Sequence, residues 1–287
     1  MPQQPFLVVL IGAGIGPSLT PPLHMAEARA LGLDYVYRTV DIAALGIAPT
    51  EVGTLLRAAR TLGFNALNIT HPCKQLVVEH LDALDERAAR LGAVNTVIFG
   101  ERGAVGYNTD ASGFATAFRT GLPGAPVCEV VQLGAGGAGA AVADALLSDG
   151  TEHLTVVDVD DDRATGLARA LADRFPTARV HAGEIDKLAV LLPHSDGLVH
   201  CTPTGMADHP GLPLEPALLH PGLWVADIVY RPFDTALLLA ARAAGCRTLH
   251  GGHMAVFQAV DTLRLVTGLE PDADRMLRHF QTLVAAE

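Results

Sequence analysis

Val130-Val131-Gln132-Leu133-Gly134-Ala135-Gly136-Gly137-Ala138-Gly139 decides the fold: an apolar run that reads as a strand empties into G-x-G-G-x-G and then into a helix over Ala140 to Leu147. Small residues at such a turn let the backbone approach a pyrophosphate, whose charge rests on the amino end of the helix. The glycine spacing alone also occurs where a helix merely packs on a strand. The next strand sharpens the reading. Leu154 to Val157 ends in Asp158, where a carboxylate accepts hydrogen bonds from the ribose hydroxyls of a bound dinucleotide. Val159-Asp160-Asp161-Asp162 adds negative charge that repels a 2′-phosphate, with only Arg163 to offset it. The stretch predicts a Rossmann-type domain that takes NAD rather than NADP. Gly134, Ala135, Gly136, Gly137 and Ala138 would lie at the pyrophosphate, with Asp158 and Arg163 beyond them.

Working outward, strands are expected near Gly197 to His200, Leu223 to Ile228 and Arg247 to Leu249, with helices between them. The turn-rich segment Gly121-Leu-Pro-Gly-Ala-Pro126 precedes the decisive strand, and the domain is placed at residues 110–252. Toward the amino terminus, strands Phe6 to Ile11 and Leu33 to Val40 flank a helix over Pro21 to Leu31. A helix near Glu51 to Leu62, a strand Ala66 to Ile69, a helix across Gln75 to Ala83 and a strand around Val94 to Phe99 repeat the alternation. Residues 1–109 therefore read as a first α/β domain, to which helices in 253–287 return after Gly251-Gly252. The fold class is α/β: an N-terminal substrate domain and a doubly wound NAD-binding domain.

A chain of 287 residues exceeds the usual size of one hydrophobic core. At 49% hydrophobic and 18% charged residues it has the composition of a well-packed α/β enzyme. A net charge of −11 without clustered Lys or Arg argues against nucleic acid as a partner. No run of about 20 apolar residues predicts a membrane span, and Met1-Pro2-Gln3-Gln4-Pro5 lacks the basic lead-in of a signal peptide, so a cytoplasmic location is expected. Cys73, Cys128, Cys201 and Cys246 are too widely spaced for a zinc site or a disulfide framework and read as reduced thiols. The twelve histidines show no ligand spacing, so no metal is expected.

Only Lys74 and Lys187 among twenty basic residues are lysine. In so arginine-rich a chain, a retained lysine suggests a task that arginine cannot perform, such as proton exchange. Lys187 lies in a polar stretch and reads as a surface residue. Lys74 lies in Asn68-Ile-Thr70-His71-Pro72-Cys73-Lys74-Gln75, which sets Asn68, Thr70 and Lys74 around the carboxyl end of a strand, where open α/β sheets bind ligands. A second polar cluster, Asn108-Thr109-Asp110, falls at the domain boundary, and the two clusters are expected to face one cleft. Gly12-Ala-Gly14-Ile-Gly16 also follows a strand, but its third glycine is wrongly spaced and Pro17, Pro21 and Pro22 follow. It reads as a substrate-binding turn or a plain structural one.

With these segments in place the chain resembles the shikimate dehydrogenase family, most closely its NAD-dependent quinate/shikimate branch. The likeness runs through Ser18-Leu-Thr20-Pro21, Asn68 to Gln75, Gly92-Ala-Val-Asn95-Thr and Gly106-Tyr-Asn108-Thr-Asp110. It continues through Gly134 to Gly137, Cys201-Thr-Pro203-Thr-Gly205-Met206, Asp227-Ile-Val-Tyr230-Arg-Pro232 and Gly252-His-Met254-Ala-Val-Phe-Gln258. The resemblance implies that Ser18 and Thr20 hold the substrate carboxylate. Asn68, Thr70, Asn95, Asp110 and Gln258 would bind the ring hydroxyls, and Lys74 with Asp110 would form the catalytic pair. Thr202, Pro203, Met206, Val229, Tyr230, Gly252 and Met254 would complete the cofactor site on its nicotinamide side. Commoner members carry Asn-Arg-Thr after the second cofactor strand and use NADP, where this chain has Asp158-Val-Asp. They also carry Ser in place of Thr20, and the Ser-x-Thr form resembles enzymes that accept quinate as well as shikimate. His71 reads as a filler beside Pro72.

The expected reaction interconverts quinate with 3-dehydroquinate and shikimate with 3-dehydroshikimate, by hydride transfer from a ring hydroxyl carbon. Lys74 fits either of two roles: a general base, or a cation stabilising the developing alkoxide with Asp110 or water relaying the proton. An aminoshikimate or aminoquinate dehydrogenase would share every motif. A non-catalytic NAD-binding protein would have no need of Asn68, Lys74 and Asp110, and a folate-linked dehydrogenase no need of Ser18-x-Thr20. The expected partner is a small-molecule substrate, and the expected assembly a monomer or homodimer.

Overall fold

The computed structural model describes residues 4–286. Met1 to Gln3, part of the stretch read above for a leader, and Glu287, the end of the returning helical region, lie outside the described residues. The chain divides into two compact units: residues 1–109 with 258–287, and residues 110–257.

The first unit opens with β1 (Phe6–Gly12), α1 (Thr20–Ala30), β2 (Tyr35–Asp41), α2 (Val52–Thr61) and β3 (Ala66–Ile69). It continues with α3 (Cys73–Leu76), β4 (Ala83–Leu84), α4 (Glu86–Leu91), β5 (Thr96–Gly100) and β6 (Gly103–Tyr107). The sheet order is β2-β1-β3-β5-β6-β4. Strand β1 runs parallel to β2 and β3 and is covered on both faces: Val9 and Ile11 join Leu56, Leu67 and Ile69 on one side, and Val8 and Leu10 join Tyr37 and Ala66 on the other. Two-sided burial is why β1 is apolar at every position up to Gly12 rather than alternating.

Two expectations for this unit need correction. The simple alternation stops at β3, because β5 runs antiparallel to β3 and to β6, making a hairpin closed by Glu101-Arg102. The expected helix across Gln75 to Ala83 is only the single turn α3, followed by a 3-10 turn at Val78–His80 and then β4. Pairing with β6 overrides the helical pattern. Asp82 N donates to Ala104 O at 2.9 Å, Asp85 N to Gly106 O at 2.9 Å, and Asp82 Oδ2 accepts from Ala104 N at 2.7 Å.

The second unit holds α5 (Thr109–Gly121), whose first residue belongs to the first unit, then β7 (Glu129–Leu133), α6 (Gly137–Ser148), β8 (His153–Val157), α7 (Asp161–Arg174) and β9 (Arg179–Gly183). It continues through α8 (Leu188–Leu191), β10 (Gly197–His200), β11 (Trp224–Asp227), α9 (Ala236–Ala243) and β12 (Arg247–His250). Helix α10 (Gly252–Thr267) begins here and ends in the first unit, where α11 (Ala273–Ala285) follows. The sheet order β12-β11-β10-β7-β8-β9 is parallel throughout. This is the doubly wound order, and it reverses between β7 and β10. The edge strand β9 was not anticipated. Arg-Val-His-Ala-Gly, mostly exposed, lacks the apolar run that marks the inner strands. Among the described residues no helix is long and apolar enough to cross a membrane, and the four cysteines are unbridged.

Candidate active site

In the first unit the chain leaves β1 through the Gly12–Gly16 loop, and this loop is held by one side chain. Asp41, ending β2, accepts from Gly14 N at 3.1 Å and Ile15 N at 2.9 Å, and from Ala43 N and Ala44 N at 3.1 and 3.3 Å. Desolvation pushes its carboxyl up, but the four N–H groups outweigh it and hold it below the usual aspartate range. The loop delivers half-buried Ser18 and Thr20 to the amino end of α1, where Ser18 Oγ accepts from Thr20 N at 3.3 Å.

Strand β3 carries Asn68 and hands on to Thr70. Ala13 N donates to His71 O at 2.9 Å and Thr70 N to Ile11 O at 2.9 Å, so the two loops are tied together. The His71 side chain is exposed, and Lys74 follows half-buried on α3, its carbonyl accepting from Val94 N at 2.8 Å.

Hydrogen bonds join Asn68, Asn95 and Gln258. The Tyr37 hydroxyl donates to Asn68 Oδ1 at 2.7 Å, and Asn68 Nδ2 donates to Thr96 Oγ1 at 3.0 Å and Asn95 O at 3.3 Å. Asn95 Oδ1 accepts from Thr109 N at 2.8 Å, and Asn95 Nδ2 donates to Thr109 Oγ1 at 2.9 Å. Thr109 Oγ1 reaches Gln258 Oε1 at 3.4 Å, and Thr262 stands 3.1 Å from Thr96 Oγ1 and 3.2 Å from Thr109 Oγ1. Both N–H groups of Asn68 are spent on the protein, so it has only an acceptor lone pair left for a ligand. Tyr37, Thr96 and Thr262 were not anticipated. Polar residues on otherwise buried elements were the available signal.

In the second unit the glycine turn has a separate reason for each glycine. Gly134 has φ +104°, and a Cβ there would stand 2.7 Å from Cys201 O. A Cβ on Gly139 would stand 2.3 Å from Gly134 O. At Gly136 and Gly137 a Cβ would meet nothing within 4 Å. Gly136 caps α6 without a side-chain hydrogen bond, and the space beside Gly136 and Gly137 is open. That fits a pyrophosphate. Gln132, buried in β7, fastens the turn by donating to Gly134 O at 2.9 Å and Gly139 O at 3.0 Å.

Asp158 follows β8. Its Oδ2 accepts from Ala135 N at 2.7 Å and its Oδ1 from Asp160 N at 3.0 Å, which leaves lone pairs on both oxygens. Arg163 donates through Nε to Asp160 Oδ2 at 2.9 Å and stands 3.9 Å from Asp158. That contact with Arg163 holds the Asp160 carboxyl below its usual range.

Thr202, Pro203 and exposed Met206 follow β10, with Met206 N donating to Pro203 O at 3.0 Å. Val229 and Tyr230 follow β11, and Val229 N donates to Asp227 Oδ1 at 3.0 Å. Gly252 and half-buried Met254 open α10. A Cβ on Gly252 would stand 2.5 Å from the Phe233 ring. Asp110, buried, is the second residue of α5.

An all-parallel doubly wound sheet with an open helix start and a carboxylate at the end of its second strand defines a dinucleotide-binding α/β protein. Residues 10–97 match the family described as Shikimate dehydrogenase substrate binding domain, and residues 130–207 match the Saccharopine dehydrogenase NADP binding domain. The chain is 61% identical over 277 residues to "Shikimate dehydrogenase (NADP(+))" of Streptomyces avermitilis, covering 96% of this chain and 95% of that protein. It is 47% identical over 284 residues to "Quinate/shikimate dehydrogenase (NAD(+))" of Corynebacterium efficiens, covering 99% and 100%. Among solved structures it is similar to quinate dehydrogenase from Corynebacterium glutamicum in complex with NAD, with a TM-score of 0.92 and 46% identity over 98% of this chain and 100% of that one. The chain belongs to the shikimate dehydrogenase family.

Proposed function

We propose that this chain is an NAD-dependent quinate/shikimate dehydrogenase, interconverting quinate with 3-dehydroquinate and shikimate with 3-dehydroshikimate. One observation carries the reading: Asp158 braces the glycine turn while its nearest guanidinium, Arg163, is bound to Asp160. A 2′-phosphate would meet carboxylates, and a 2′-hydroxyl would meet acceptors. The relatives divide on this point, one named for NADP at 61% identity and another for NAD at 47%.

Ser18 and Thr20 supply neutral donors to the substrate carboxylate, and Asn68, Thr70, Asn95 and Gln258 position the ring hydroxyls. When bound, the nicotinamide ring supplies the hydride acceptor. The ring hydroxyl must lose its proton as the hydride leaves the same carbon, and Lys74 with Asp110 carries that proton step. The protein acts in the cytoplasm, as a monomer or homodimer.

The test is a panel of quinate, shikimate and their amino analogues with NAD on wild type and two variants. Quinate and shikimate turn over. Lys74→Ala lowers kcat by about 10²- to 10⁴-fold with modest change in substrate affinity. Lys74→Arg separates the two roles, since arginine keeps the charge but does not exchange a proton. Turnover confined to an amino analogue, or most of kcat surviving in Lys74→Ala, contradicts the assignment.

A further inference from the structure

Strands β10 and β11 are apolar until their carboxyl ends, where His200 and Asp227 face each other in the parallel register. Both side chains are fully buried. His200 Nδ1 lies 3.0 Å from Asp227 Oδ1, which also accepts from Val229 N at 3.0 Å, while Asp227 Oδ2 accepts from the Thr235 hydroxyl at 2.8 Å. A carboxylate in this position keeps the imidazole proton on Nδ1 and leaves Nε2 as an acceptor. Nε2 is 2.5 Å from Thr202 Oγ1, so the Thr202 hydroxyl donates inward to the ring. One Thr202 lone pair faces the Thr204 N–H at 3.3 Å, and the other is left for a donor from outside.

The location matters as much as the bonding. Thr202 is half-buried just past β10, at the reversal of strand order between β7 and β10, where doubly wound sheets bind their ligands. Cys201 N donates to Leu133 O at 2.6 Å, and a Cβ on Gly134 would stand 3.0 Å from the Thr202 methyl group. The Thr202 side chain therefore sits beside the first glycine of the turn, its methyl toward Gly134 and its hydroxyl toward His200. A purely structural tie between β10 and β11 would need His200 and Asp227 but not a hydroxyl at the crevice.

We propose that His200, held by Asp227, is a positioning residue that fixes Thr202 as a hydrogen-bond acceptor for the nicotinamide-ribose half of the bound dinucleotide. The proposal rests on the pyridine-nucleotide reading above. The donor it recognises is an N–H of the carboxamide or an O–H of the ribose.

The experiment measures equilibrium dissociation constants of NAD, its 3-acetylpyridine analogue and ADP for wild type, Thr202→Val, His200→Asn, His200→Gln and the Thr202→Val/His200→Asn double variant. Thr202→Val and His200→Asn each weaken NAD about three- to tenfold, and the double variant weakens it no further than either single change. ADP, which lacks the nicotinamide riboside, changes less than about twofold throughout. His200→Gln, whose amide oxygen reaches the Nε2 position, recovers affinity. The analogue lacks the carboxamide N–H. If the amide is the donor, it binds wild type as weakly as NAD binds Thr202→Val. If the ribose is the donor, it loses the same factor as NAD in the variants. Additive effects, parallel weakening of ADP, or a lowered melting temperature with unchanged NAD affinity would each overturn the proposal. Thr202→Val carries the test on its own should His200→Asn fold poorly. Wild type binding neither NAD nor NADP overturns the functional reading together with this one, whereas normal wild-type binding with indifferent variants overturns this one alone.

Discussion

Asp41 gathers four backbone N–H groups and thereby sets the loop that delivers Ser18 and Thr20. Asp41→Asn removes the charge that makes those bonds strong. The expected outcome is a KM for the acid substrate raised several-fold with kcat little changed, read from initial rates. The carboxyl is held low, so the clamp is intact above the ordinary aspartate range near about 3.9 and is lost only as pH falls below it. His24 works in the same direction but over a higher pH window. Burial lowers it from 6.5 to about 3, so the unfolded chain takes up a proton first as pH falls below 6.5, and stability is lost progressively from there toward about 3. His250, lowered to about 4 by burial and by His253, adds to the same limb. A His24→Phe variant flattens the decline of melting temperature between pH 6.5 and 3, and an unchanged slope contradicts the assignment. Lys74 and Asp110 were picked out as candidates because their neighbours in sequence form recognisable motifs. Tyr37, Asp41 and Thr262 were not. Each acts on a partner 26 or more positions away, which local pattern does not name.

The decisive element is the unit β7, glycine turn and α6, and it separates two kinds of glycine. Gly139→Ala drives a Cβ into Gly134 O and is expected to cost about 1–3 kcal/mol, visible as a lowered melting temperature. Gly137→Ala adds its methyl to open space, so the melting temperature holds while the dissociation constant for the dinucleotide rises. Equal effects of the two changes on both readouts would mean that the open side of the turn is not the ligand side. The inner strands around this unit were legible because two-sided burial makes them short, mostly apolar runs, as in Glu129–Leu133 and Gly197–His200. The β5–β6 hairpin was not, because Gly103-Ala-Val-Gly-Tyr107 is too rich in glycine to read as a strand, and only its partners show it to be one. Gln132 and His200 are a middle case. A fully buried polar side chain in an apolar strand marks a position that needs a partner, but the sequence does not say which.

At the scale of the molecule, the candidate residues fall in both units. Ser18, Thr20, Asn68, Thr70, Lys74, Asn95 and Gln258 belong to the first, and Asp110, the glycine turn, Asp158 and Thr202 to the second. The return of the chain to the first unit brings Gln258 and Thr262 of α10 to Thr109, so this helix joins the hydrogen-bond network of Asn68 and Asn95. The cofactor remains the sharpest question, since relatives that match nearly the whole chain carry names with either nucleotide. The ratio of kcat/KM for NAD to that for NADP, with quinate or shikimate as substrate, answers it. NAD is expected to be favoured by tenfold or more, on the order of 1.4 kcal/mol, and Asp158→Ser to narrow the gap. NADP preferred by the wild-type protein would contradict it.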